Sequence, residues 1–178
     1  MYALLGNVLK AKVSFAASEK MLARAFSQLF SFALAVPAAR KNVEVAYTFS
    51  YLLTPKQVDE INRVCLAQGW PQVTVRGIEI TVAAIHHVCD SRSTKDALTN
   101  EQILEIITKA YSPRSTIRTN RNHDQQSLIF NTHQKLKVGE GMYHGLAVLQ
   151  LLNAGPITYL APVTCYHATE AKIRAINK

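Results

Sequence analysis

At 178 residues, 48% of them hydrophobic and 18% charged, the chain has one domain's length and enough apolar side chains for a sizeable core, which excludes disorder along its whole length. Twenty Lys and Arg against twelve Asp and Glu give a net charge of +8, with +5 over residues 1–41, −2 over residues 42–90 and +5 over residues 91–178. That balance suits an anionic partner such as nucleic acid, an acidic protein or a membrane surface; a purely solubilising surface accounts for it equally well. No stretch reaches 18 uninterrupted apolar residues, so no membrane span is expected. Three cysteines (Cys65, Cys89, Cys165) without a CxxC spacing support neither a disulfide framework nor a zinc site.

Residues 2–36, rich in Ala, Leu, Phe and Lys, read as one or two helices stopped by Pro37. Within them residues 25–39 resemble a signal-peptide core, but the long leading stretch and Glu19 favour an amphipathic or buried helix. Residues 43–53 alternate loosely, as a strand would. Thr54-Pro55-Lys56-Gln57 carries a cap, a proline at the first helical position and a capping-box glutamine, so a helix starts there and runs to Gly69. After an extended piece at 72–75, residues 78–91 set Ile78, Val82, Ile85 and Cys89 on one helical stripe. Thr99-Asn100-Glu101-Gln102 is a second capping box and opens a helix that ends near Ser112-Pro113.

Beyond Pro113 the period changes to two. Strands are expected at about 115–121, 127–134, 141–151 and 156–167, with turns at Asn122-His123-Asp124, Gly139-Glu140-Gly141 and Asn153-Ala154-Gly155. A short helix over 169–176 closes the chain. The expected fold class is α+β: N-terminal helices followed by a four-stranded antiparallel sheet packed on helices.

The familiar phosphate-loop, dinucleotide, zinc-protease and serine-elbow motifs are absent. What remains is a set of histidines, arginines and hydroxyls. His86 and His87 are adjacent on a helix, about 100° apart, so both cannot face the core. One of them is suited to general-base work near neutral pH, and Arg92 can stabilise charge developing on a phosphate. An ordinary half-exposed helix with an i,i+4 pairing explains the same residues. On the last strand Thr164 and Tyr166 share one face, and Val163, Cys165 and His167 the other. Arg114, Arg118 and Arg121, with Thr116 and Asn120 between them, read as a phosphate-contacting strand or as a charged edge strand. His133 and His144 lie mid-strand, and His144 shares its face with Leu146 and Val148, which suggests packing.

A helix carrying Ile85-x-His87-Val88 and Arg92, then a capped helix, four antiparallel strands and Thr164-x-Tyr166 on the last, resembles the barnase–EndoU–colicin–RelE class of ribonucleases. In particular it resembles the toxin domains of contact-dependent growth inhibition systems and related phage nucleases. The resemblance covers residues 72–176, and Pro162 inside the last strand departs from the pattern. It implies a ribonuclease-like domain at 71–178, and a helical segment at 1–70 that helps the toxin into its target cell. The implied activity is metal-independent cleavage of RNA, with tRNA one candidate, by 2′-hydroxyl attack, with no cofactor. His87 is the implied base, with His86 its rival; Arg92, Thr164 and Tyr166 complete the catalytic set. An acidic immunity protein is the implied partner, and the implied location is secreted or delivered into a target cell's cytoplasm, otherwise cytoplasmic. A non-catalytic nucleic-acid-binding protein and an immunity-type interaction module remain as alternatives.

Overall fold

A computed structural model describes residues 19–36, 48–121 and 125–176. The expected elements at residues 2–18 and 43–47, and the turn at Asn122-His123-Asp124, lie outside the described residues. Among the described residues eleven elements follow in chain order: α1 (Glu19–Ala35), β1 (Thr48–Leu52), α2 (Pro55–Gln68), β2 (Gly77–Thr81), α3 (Val82–Asp96), α4 (Asn100–Ala110), β3 (Thr116–Thr119), β4 (Ser127–Val138), β5 (Gly141–Ala154), β6 (Ile157–Ala168) and α5 (Glu170–Ile176). The fold is α+β. A four-stranded antiparallel sheet in the order β3-β4-β5-β6 carries helices on one face, and β1 and β2 form a separate two-stranded antiparallel sheet.

Helix α1 buries Leu22, Phe26, Leu29, Phe30 and Ala33, one stripe at helical spacing, and packs on α3 and α4. Phe26 meets Phe49 of β1 edge to face at 4.8 Å, a geometry that contributes about 0.5–1.5 kcal/mol beyond area burial. One hydrophobic core runs from Leu22 through Ile61, Ile78 and Ile106 to Cys165 and so crosses residue 70. No described helix is long and apolar enough to cross a membrane.

Both capping boxes form. Thr54 accepts from Gln57 N and Thr99 from Gln102 N, and each glutamine returns to its cap's backbone. Gln57 does more: its side chain is buried, accepts from Tyr51 Oη at 3.0 Å and donates to the Ser112 carbonyl at 3.0 Å.

The expected helix over 78–91 is corrected in its first turn. Residues 77–81 are strand β2, and the helix is α3, from Val82 to Asp96. Ile78 and Ile80 are buried and Glu79 between them is exposed, a period of two that pairs with Tyr51 and Phe49 of β1. Thr81 then caps α3 directly, its hydroxyl accepting from Ala84 N at 3.1 Å.

In the large sheet the β4–β5 hairpin turns at Gly139, at φ 57°, and the β5–β6 hairpin at Gly155, at φ 60°. Gly145 lets β5 approach α4 closely, since a Cβ there would lie 2.9 Å from the Ile106 carbonyl oxygen. Strand β6 is an edge strand, which is where Pro162 is tolerated. Val163 is the extra residue of a bulge between the pairs Leu149–Pro162 and Val148–Thr164. The bulge resets the alternation, so Leu160 and Cys165, five residues apart, both enter the helix-side core. The opposite face carries a second cluster of Ile129, Leu146, Val148, Ala168 and Ile176, covered in part by α5.

Candidate active site along helix α3 and strand β6

Helix α3 packs beside the edge strand β6, and this placement positions most of the candidate residues. Near the start of α3, His87 is exposed. It lines an open groove of about 860 Å³ together with Ala84, Tyr159, Pro162 and Val163. Thr164 lines an adjoining small cavity between α3 and β6, against Ala84 and Val88. His86 points elsewhere: its Nε2 lies 2.7 Å from the Ala33 carbonyl oxygen. A carbonyl accepts only, so Nε2 carries the proton and the ring ties α3 to α1. Of the two adjacent histidines, His87 is the one presented to the groove.

Toward the end of α3, Arg92 is largely covered, with 14% of its side chain exposed. Its Nη1 donates to Asp96 Oδ2 at 2.7 Å and its Nη2 to Ser91 Oγ at 2.7 Å. Its Nε is buried with no hydrogen-bond partner among the described residues. The i,i+4 pair with Asp96 is therefore present, and it also orients a guanidinium whose charge is felt at β6. Burial pushes the Tyr166 phenol up, and Arg92 partly opposes that shift. Burial pushes the His167 imidazole down, Asp96 opposes it, and Arg92 and Lys172 push the same way as burial. Near neutral pH Tyr166 thus keeps its proton and His167 is an unprotonated imidazole. Lys172 of α5 sits over the Tyr166 ring at 5.1 Å, and Tyr143 meets the His167 ring edge to face at 4.7 Å.

Thr164 and Tyr166 pair with Val148 and Leu146, whose face α5 covers in part, while Cys165 and His167 alternate to the other; Thr164 reaches the rim of the cavity beside α3, and Tyr166 does not line the groove that His87 lines. His167, Asp96, Lys172 and Tyr143 were not singled out from sequence as site residues. For His167 the only signal is its place next to Tyr166 on an edge strand. Asp96 carries the i+4 spacing from Arg92.

The three arginines proposed to touch phosphate have different surroundings. Arg114 Nε lies 3.5 Å from Glu19 of α1, and Arg118 Nη1 lies 2.9 Å from Glu60 of α2. Arg121 is exposed beyond the end of β3. His144 is buried, with Nε2 3.6 Å from Glu170 Oε2, and links the sheet to α5. All three cysteines are free and buried. Among the described residues no group of three or more His, Cys, Asp or Glu is arranged to hold a metal ion. No known protein family matches the chain, and no curated protein or solved structure matches it.

Proposed function

We propose that the protein is a metal-independent endoribonuclease whose chemistry runs along the α3–β6 seam. The observation that carries this reading is the open groove that His87 lines beside Pro162 and Val163 of β6, with Arg92 held by Asp96 and Ser91 farther along the same helix. His87, one and a half turns earlier on the same helix, opens onto a groove large enough for a nucleotide. In this reading His87 takes the proton from a ribose 2′-hydroxyl, and the oxygen attacks the adjacent phosphorus. Arg92 stabilises the charge that develops on the phosphorane oxygens. Thr164, at the rim of the seam, contacts the phosphate, and the departing 5′-oxygen takes its proton from solvent in the open groove, because Tyr166 packs on the other face of β6. The products are a 2′,3′-cyclic phosphate and a 5′-hydroxyl. The net charge of +8 favours a polyanionic substrate. It also favours the acidic immunity partner implied by the resemblance to growth-inhibition toxins, because complementary charge steers association.

Incubation of end-labelled RNA with the full chain in the presence of EDTA tests the reading. Cleavage that leaves cyclic-phosphate ends, and that His87→Ala and Arg92→Gln each abolish, is the expected result. A shift of the RNA without cleavage would identify a binding protein instead. Cleavage that depends on a divalent metal, or that survives His87→Ala, would overturn the assignment.

A further inference from the structure

At the other edge of the sheet, away from the seam, we propose a phosphate-binding pocket built on strained backbone at His133. Strand β4 bulges between Asn131 and Lys135. In the bulge His133 takes φ 60°, the left-handed region that a residue with a Cβ occupies at a cost in energy. Two successive side-chain-to-backbone bonds hold it there. Asn131 Oδ1 accepts from His133 N at 2.9 Å, and Thr132 Oγ1 accepts from Gln134 N at 3.1 Å. Both of those side chains are buried, so the strained conformation is imposed from inside the sheet. A bulge of this kind re-aims a side chain, and here it brings an exposed imidazole back over strand β3. His133 Nε2 lies 2.8 Å from Thr116 Oγ1.

The hydrogen bonds fix the polarity of the cluster. Thr116 Oγ1 donates to the Asn131 carbonyl at 3.2 Å, so it accepts from His133 Nε2–H. That leaves Nδ1, which donates to an anion when the ring takes up a proton with it. Asn131 Oδ1 is committed to a backbone N–H, so its amide NH₂ is the donor it has to offer. Arg118 uses Nη1 for Glu60 Oε1 at 2.9 Å and for the Ile117 carbonyl at 2.8 Å, and keeps Nη2 and Nε for another acceptor. Thr116, Arg118, Asn131 and His133 form the polar side of one pocket of about 60 Å³, and Ile129 and Leu146 of the sheet with Ile173 and Ile176 of α5 form its apolar side. One water needs about 10–15 Å³ of such space, so the pocket has room for a small oxyanion. A guanidinium, an amide NH₂ and an imidazole converging on a space of that size fit a phosphate group. The Glu60 carboxylate, paired with Arg118, competes with an anion for the guanidinium, and this gives the proposal a signed test.

The phosphate is either free or a monoester, or it is a diester of a polynucleotide passing the sheet edge. The proposal does not depend on cleavage at the seam, because its probe is inorganic phosphate. Proton–nitrogen NMR of the histidine side chains, in the full chain titrated with millimolar inorganic phosphate, should move the His133 resonances in a saturable way. A short oligoribonucleotide, added to His87→Ala protein so that it stays intact, separates the sources. Tighter binding than inorganic phosphate, at the same resonances, assigns a diester; weaker binding assigns a free phosphate or monoester.

His133→Gly should hold or raise the melting temperature, since glycine takes φ 60° without strain, and should weaken phosphate binding by about tenfold, as expected for loss of one charge-assisted donor. Thr116→Val should weaken it less, and Glu60→Gln should tighten it. His133 resonances that ignore phosphate, unchanged affinity in His133→Gly, or weaker binding in Glu60→Gln would each overturn the site. A lower melting temperature in His133→Gly would show that the imidazole serves the bulge itself, and would overturn it as well.

Discussion

The two edges of the large sheet are built by opposite means. Both use a bulge. At the β6 edge the bulge at Val163 lies under helix α3, and the polar groups around it are covered: Arg92 is mostly buried, Tyr166 is pushed up by burial and His167 is pushed down. At the β3 edge the bulge in β4 is open to solvent, and His133 and Arg118 are exposed. Burial tunes chemistry through the cost of charge. Exposure forfeits that lever, so the second edge relies on conformation instead, with a strained residue held by two buried side chains. The difference separates a site suited to moving protons from one suited to holding an anion.

Breaking the comparison at its strongest point means removing His87. His87→Ala is expected to lower RNA cleavage by about 10²–10⁴-fold, the usual contribution of a general base, with little change in melting temperature because the residue is exposed. His86→Ala should show the reverse: retained cleavage and a stability loss of about 1 kcal/mol from the lost bond to Ala33. Cleavage assays and thermal melts on the same two proteins decide it.

The buried side of the comparison should also appear as pH dependence. Burial raises the Cys165 thiol to about 12 and the Cys89 thiol to about 11, from 9.0. For a raised group the stabilisation is complete below its unfolded value and is lost as pH rises through its folded value. Denaturant midpoints should therefore hold through neutral pH and fall from about pH 9 toward 12. His167 is lowered, so its contribution is present above about 6.5 and is lost as pH falls below that value. A midpoint flat from pH 9 to 12 would contradict the burial of the thiols.

A smaller effect is expected from Arg92→Gln, which leaves Asp96 without its partner. The pair is partly exposed, at 14% and 26%, so the stability loss should be about 1–3 kcal/mol. The sign of the accompanying shifts is more informative. Without the guanidinium, Tyr166 should titrate still higher and His167 should move back up, both readable by NMR. The smallest effect belongs to the exposed edge, where His133→Gly should gain up to about 1 kcal/mol in stability while phosphate affinity falls.

Much of the framework was legible because it is local. The two capping boxes, the turns at Gly139 and Gly155 and the switch to period two after Pro113 each depend on residues within a few positions of one another. The first turn of α3 was misread because Ile78, Val82, Ile85 and Cys89 fit a helical stripe. Tyr51 and Phe49, pairing with Ile78 and Ile80 from more than 25 residues away, pull residues 77–81 into a strand. Pro162 looked like a flaw in the last strand; an edge position and the Val163 bulge accommodate it.

The sequence by itself determined the fold class, the approximate positions of the C-terminal strands, the two helix starts capped by Thr54 and Thr99, and the sharing of one strand face by Thr164 and Tyr166, since propensity, capping and alternation act over one or two turns of chain. Only the tertiary structure decided which histidine faces a groove, that the packing of α3 beside β6 leaves Arg92 largely covered, that Arg114 pairs with Glu19 and Arg118 with Glu60, and that His133 is strained. Each of those depends on the direction of a side chain and on a neighbour dozens of residues away. The approach of such a neighbour is fixed by how helices and sheet pack, which no local pattern encodes.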